Sequence, residues 1–185
     1  MSWNRTHTCG ELNTQHDGET VILNGWVDVR RDLGGVIFID LRDRYGVTQI
    51  VIDQENASLH NMAETLRSEF VVGVEGQVTR RDEETVNPGL KTGKIEVRAK
   101  RLKIYSRAET PPFEIRDDLD TNEDVRLRYR YLDLRRRPLQ ENLLLRSRVS
   151  QTVRNFYSRQ DFVEIETPVL MKSTPEGARD YLVPS

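Results

Sequence analysis

The strongest constraint on this chain is a change of hydrophobic period that occurs once inside an otherwise two-residue pattern. Val21-Ile-Leu-Asn-Gly-Trp-Val-Asp-Val29 places Val21, Leu23, Val27 and Val29 on one face. Gly35-Val-Ile-Phe-Ile-Asp-Leu-Arg42 follows, with Ile37, Ile39 and Leu41 on one side and Phe38, Asp40 and Arg42 on the other. Arg44-Tyr45-Gly46 reads as a turn into a third strand, Val47 to Ile52, with Ile50 and Ile52 inward and Gln49 outward. Then the period lengthens. Leu59, Met62, Ala63, Leu66 and Phe70 form one helical stripe, with Ser58 as the expected N-cap. Alternation returns in a fourth strand (Val72, Val74, Gly76, Val78) and, after a polar loop with an Asn87-Pro88-Gly89 turn signal, in a fifth (Ile95, Val97, Ala99). Five strands with one helix between the third and fourth is the order of an OB-fold barrel. A generic small β-barrel shares that strand order.

The pattern changes again past residue 105. Residues 106–123 read as a linker, with Pro111-Pro112, an acidic patch at Asp117, Asp118 and Asp120, and no period. Residues 125–137 read as a helix stopped by Pro138. Leu145, Val149, Val153 and Phe156 form the apolar stripe of a longer one. Phe162 to Thr167 reads as a short strand running into Pro168. The expected division is 1–105 barrel, 106–123 hinge and 124–185 the start of an α+β domain.

Composition narrows the function classes. Charged residues are 31% of 185, above the usual ~25%. Residues 1–105 hold 14 basic and 16 acidic side chains, so a nucleic-acid site must be a local face rather than a bulk field. No run of ~18 apolar residues and no secretory leader occurs, so neither a membrane span nor export is expected. The single Cys9 suits a reducing cytoplasm. His7, Cys9 and His16 fit no zinc spacing and lack a fourth ligand, so no metal site is expected. Glu164 and Glu166 share a strand face, where solvation is the simpler reading than acid–base work. No dinucleotide glycine motif, phosphate loop or Ser/His/Asp set is present.

The chemistry concentrates on the barrel's outer face. Phe38, between Asp40 and Arg42, is placed to stack on a single-stranded base, because every base has a π-face. Gln49 and Glu96 lie on outward positions of flanking strands, where an amide and a carboxylate can read base edges. Arg30 and Arg31 are candidates for phosphates. The competing reading is a loop-covered Phe among solvated polar residues. The run Arg126, Arg128, Arg130, Arg135, Arg136 and Arg137 suits phosphate contact, or a solvated helix face with packed stems.

Residues 25–43, Gly-Trp-Val-Asp-Val-Arg-Arg-Asp-Leu-Gly-Gly-Val-Ile-Phe-Ile-Asp-Leu-Arg-Asp, resemble the anticodon-binding OB domain of class IIb aminoacyl-tRNA synthetases. Residues 126–136 resemble the start of the catalytic domain in the bacterial aspartyl members. Phe162 to Leu170 is similar to the end of class II motif 1, and Thr174-Pro-Glu-Gly-Ala-Arg-Asp180 to the loop that closes over aspartate. The resemblance implies that Phe38 stacks on an anticodon base, that Gln49 and Glu96 read base edges, and that Arg31 contacts the same loop. It implies that Glu176 holds the aspartate ammonium and that Pro168 lies at a homodimer interface. Leu33 would mark the type that discriminates between aspartate and asparagine tRNAs. Val29 and Thr79 stand where relatives carry extra arginines, which puts some phosphate contacts in doubt.

The function so implied is an aspartate–tRNA ligase of the cytoplasm, acting on tRNA(Asp), L-aspartate and ATP with Mg²⁺. The motif 2 and motif 3 arginines of that family have no counterpart in these 185 residues. The chain is therefore expected to be an N-terminal portion, inactive alone, with no catalytic residue of its own and no bound cofactor. Two other readings stay open: a stand-alone OB module that binds RNA without catalysis, and an interaction protein pairing through the helix at 139–159.

Overall fold

The computed structural model describes residues 2–118 and 120–170. They fall into two compact units, Met1–Gln140 and Glu141–Ser185. In the first unit five strands close a barrel in the order β1-β2-β3-β5-β4. The strands are β1 (Thr20–Leu33), β2 (Val36–Asp43), β3 (Gly46–Ile52), β4 (Val71–Arg80) and β5 (Ile95–Ser106), with helix α1 (Ala57–Glu64) between β3 and β4. All neighbours pair antiparallel except β3 and β5, which run parallel and close the barrel. That is the OB-fold arrangement expected from the period change.

The alternation sets the core. Val21, Leu23, Val27, Ile37, Ile39, Leu41, Ile50, Ile52, Val72, Val74 and Val97 are fully or almost fully buried. Register shifts move the phase along the strands, and one of them corrects the sequence reading. At Asp28 the register slips, with Val27 opposite Leu41 but Val29 opposite Asp40. Val29 is thereby turned out and is 44% exposed instead of joining the core. Along β5, Gly76 faces Ala99 while Glu75 faces Arg101. Inward residues therefore continue as Leu102 and Ile104.

Turn chemistry accounts for the hairpins. Gly34 and Gly35 both take positive φ (63° and 91°), which lets a two-residue turn join the long β1 and β2 arms. At the β2–β3 turn, Asp43 Oδ1 accepts from the N–H groups of Tyr45 and Gly46 at 2.7 and 3.0 Å. Its other oxygen accepts from the buried Cys9 N–H at 2.9 Å, tying the N-terminal segment to the barrel. Replacing Asp43 by Ala leaves the Cys9 donor buried and unpaired. The expected loss is about 2–3 kcal/mol, read as a lower urea midpoint with an unchanged m value.

Helix boundaries differ from expectation for local reasons. The α1 cap is Asn56, whose side chain accepts from Leu59 N; Ser58 already lies inside the helix. Residues 125–137 form two short helices, α2 (Glu123–Arg128) and α3 (Arg130–Asp133), rather than one. Pro138 opens rather than stops a helix. It sits in the first turn of α4 (Arg137–Ser158), where its missing N–H costs nothing. Residues 162–168 have no strand pairing, so the strand expected at Phe162–Thr167 is not formed. Phe162, Val163 and Ile165 are 65–81% exposed, and no described strand pairs with them. Glu176 lies outside the described residues.

The arginine run is largely consumed by structure. Asp133, fully buried, pairs with Arg130 at 2.8 Å and Arg136 at 3.1 Å. Arg135 reaches Glu69 at 2.6 Å and lies over the Trp26 ring at 4.7 Å. Arg136 also donates to the Asp117 carbonyl, joining the linker to α3.

Candidate nucleic-acid interface

β1, β2, β3 and β5 and the loop after β4 border an open groove of about 680 Å³. Its floor follows from strand register. Phe38 on β2 is opposite Val51 on β3 and Arg31 on β1, and Val51 is in turn opposite Arg98 on β5. Alternation puts all four outside the barrel, since their chain neighbours Ile37, Ile39, Ile50, Ile52 and Val97 fill it. Phe38 is half-buried in this floor. Leu33 projects from the β1–β2 tip and is 63% exposed.

The polar wall is connected. Gln49 Nε2 donates to Glu96 Oε2 at 3.4 Å, and Arg81 Nη1 donates to Gln49 Oε1 at the same distance. Arg98 bridges Glu96 at 3.6 Å and Asp53 at 3.3 Å. Burial raises the Glu96 carboxyl above the ordinary range, against the lowering pull of Arg98, Arg81 and the Gln49 hydrogen bond. Beside Phe38, Arg31 pairs with Asp40 at 2.9 Å. Burial raises Asp40, opposed by Arg31 and reinforced by nearby Asp28.

The structure thus gathers Phe38, Gln49, Glu96, Arg31 and Leu33 around one groove. Gln49 is outward, as the alternation requires, yet only 5% exposed, because the loop after β4 leans over it. Sequence reading missed two arginines of the groove, Arg98 on β5 and Arg81 after β4, and the more buried is Arg81. Its side chain is 11% exposed, and its buried Nε makes no hydrogen bond but lies 4.0 Å from Glu96 Oε2. It stands just past β4, where the alternation stops, so its only signal was the Arg80-Arg81 pair itself. Arg30, the other phosphate candidate, does not border the groove.

Two further groupings stand apart. A cavity of about 470 Å³ lies between Trp26 and Val71 of the barrel, the linker around Pro111, and Tyr129 and Tyr131. His7, His16 and Glu19 each bring one ligand-type atom within 4.8 Å of the others. Cys9, grouped with the histidines in the sequence, is buried instead; burial and Asp43 push its thiol well up, so it stays protonated and is a poor ligand. Among the described residues no helix is long and apolar enough to cross a membrane.

Comparison with known proteins gives a consistent picture. A family profile described as OB-fold nucleic acid binding domain matches residues 21–105. One described as tRNA synthetases class II (D, K and N) matches residues 122–185. The aspartate–tRNA(Asp/Asn) ligase of Salinibacter ruber is 56% identical over 186 residues, covering 98% of this chain and 30% of that protein. The aspartate–tRNA ligase of Geobacillus kaustophilus is 57% identical over 182 residues, covering 98% and 31%. The chain therefore spans about 30% of the length of the curated relatives it matches. Among solved structures, asparaginyl-tRNA synthetase from Pyrococcus horikoshii bound to asparaginyl-adenylate shares the fold. Its TM-score is 0.78 at 24% identity, over 92% of this chain and 38% of that one.

Proposed function

The chain belongs to the bacterial aspartyl-tRNA synthetase family, and on that premise we propose that its barrel reads the anticodon of tRNA(Asp) for an aspartate–tRNA ligase. The observation that carries this is the shared groove, in which an aromatic floor (Phe38) meets a carboxylate (Glu96), an amide (Gln49) and three guanidinium groups (Arg31, Arg81, Arg98). Stacking supplies sequence-tolerant affinity, the carboxylate and amide supply choice between base edges, and the arginines meet phosphate. Arg81, held against Glu96 and Gln49 in the wall of the groove, is placed to act with them on an incoming nucleotide.

The divisions 1–105, 106–123 and 124–185 are the proposed anticodon domain, hinge and first part of the catalytic domain. In the whole enzyme ATP with Mg²⁺ activates the aspartate carboxylate before transfer to the tRNA 3′ end. The described residues offer no arginine in the family's ATP-binding context, so no step through ATP is assigned to them. Glu176 is proposed to hold the aspartate ammonium by a charge-assisted bond, and exposed Leu33 to bear on which tRNA is accepted. The whole enzyme is proposed to act in the cytoplasm. The stand-alone RNA module is less favoured, because the relatives match across the barrel and the segment beyond it.

A homodimer is also proposed. Leu145, Val149, Val153 and Phe156 on α4 are each 49–60% exposed, and Pro168 lies beyond them in the exposed segment 162–168. An apolar stripe of this kind favours association. Sedimentation of the 185-residue chain should show a dimer or larger species, reduced by Val149→Glu with Val153→Glu. A monomer at high concentration would remove the proposal.

The test of the proposed function is a panel of anticodon stem-loops differing in one base. Glu96→Gln should relax the ranking more than it lowers affinity for the best loop, because an amide donates as well as accepts. The carboxyl's raised position adds a pH signature with a definite sign. As pH falls from neutrality into the upper carboxylate range, Glu96 gains a proton, stops accepting from an amino group, and binding weakens. In Glu96→Gln that dependence should flatten. An unchanged ranking with an unchanged pH profile would exclude direct reading by Glu96.

A further inference from the structure

We propose that His7, His16 and Glu19 form a surface site for a divalent transition-metal ion of the zinc class, outside the nucleic-acid groove. The three residues come from different parts of the N-terminal region. His7 lies in the segment before the barrel, His16 ends a short 3₁₀ turn (Thr14–His16), and Glu19 immediately precedes β1. Their ligand-type atoms lie within 4.8 Å of one another, and the two imidazoles are edge to face at 5.1 Å.

Hydrogen bonds hold both rings in place through their Nδ1 atoms. Thr6 Oγ1 donates to the Ile22 carbonyl at 3.4 Å and accepts from the Ile22 N–H at 2.9 Å. The same oxygen lies 3.0 Å from His7 Nδ1, so that nitrogen is engaged within the protein and Nε2 is the one left for an ion. This is the outer-shell support that ligating histidines use. His16 Nδ1 lies 3.1 Å from Asn13 N and 3.4 Å from Asn13 O. It accepts from the first in the metal-free capping box. With its proton moved to Nδ1 it donates to the second and leaves Nε2 bare. Metal binding therefore exchanges one cap hydrogen bond for a metal–nitrogen bond.

Charge and chemistry select the ion. Glu19 supplies one carboxylate. Glu11, whose carboxylate is held below the ordinary range mainly by the N–H and hydroxyl of Thr8, adds negative charge near both imidazoles. Two imidazoles and one carboxylate suit Zn²⁺, Co²⁺, Ni²⁺ or Cu²⁺ and not Mg²⁺, and three protein ligands leave a position for water. The site would staple the N-terminal segment to the start of β1. The same turn also holds the end of β4, since Arg80 donates to Asp17 Oδ1 and to the Thr14 carbonyl.

The experiment is a Co²⁺ titration of the 185-residue chain followed by visible d–d absorption, with Zn²⁺ as competitor and Mg²⁺ as control. One equivalent should bind, Zn²⁺ should displace it and Mg²⁺ should not. His7→Gln and Glu19→Gln should each weaken binding at least tenfold. His7→Gln leaves the capping box intact, so it separates metal loss from misfolding. His60→Gln, the third histidine, should change nothing. Absence of a d–d band, or a band that survives His7→Gln together with His16→Gln, would overturn the site.

Discussion

Replacing Glu69 by Gln should cost this chain about 3 kcal/mol, the cost expected when a buried ion pair loses one partner. Glu69 is 5% exposed and receives both Arg42, at close contact, and Arg135 at 2.6 Å. An amide can accept from one guanidinium but turns an N–H toward the other. Arg42 Nε makes no hydrogen bond, and Asp28 at 3.6 Å is the one carboxylate left to it. The residue also sits at positive φ (65°), held there because its N–H donates to the Val27 carbonyl at 2.7 Å. Because Arg135 lies over Trp26, the effect has a local optical readout besides the global one. Melting should fall by about 6–12 °C for a domain of this size, with altered Trp26 fluorescence before the transition. A double-mutant cycle with Arg135→Gln should return a coupling above ~1 kcal/mol. A loss under ~1 kcal/mol would reduce the cluster to an ordinary surface pair.

The largest effect on binding should come from Phe38→Ala. Stacking on an aromatic contributes ~1–3 kcal/mol per base, so affinity for a tRNA(Asp) anticodon stem-loop should fall about 5- to 150-fold. The barrel should be spared, because Phe38 lies on the outer face while Ile37 and Ile39 on either side fill the core. Phe38→Tyr keeps the π-face and should bind within a few-fold of the original. Filter binding or fluorescence anisotropy, with far-UV circular dichroism as the fold control, decides it. Equal affinity for Phe38→Ala and the original would remove stacking from the account.

How much of this was legible in the residues depends on range. The barrel was, because alternation is a local consequence of burying one face of each strand; Ile37, Ile39 and Leu41 needed no tertiary information. Val29 was not, since a bulge at Asp28 is a matter of pairing and leaves no mark in period two. Pro138 was ambiguous by nature, because the same ring that blocks a helix interior is at ease in its first turn. The strand expected at Phe162–Thr167 has the right side chains, but a strand requires a hydrogen-bonded neighbour, and none of the described strands pairs with it. At the groove, Phe38, Gln49 and Glu96 were found by the face they share. Arg81 was not, because it belongs to a loop without period and becomes a site residue only when that loop lies against Gln49. Glu19 was missed for the same reason: its partnership with His7 and His16 is made by the fold and not by spacing.

The most direct test of the central claim is an NMR titration of the 185-residue chain with the tRNA(Asp) anticodon stem-loop. The account predicts that shifts concentrate at the Phe38 ring, the Gln49 side-chain amide, Glu96, Arg81 and the Leu33 tip, and that a loop with a changed anticodon moves them far less. Shifts centred on another face, or identical shifts with both loops, would contradict it.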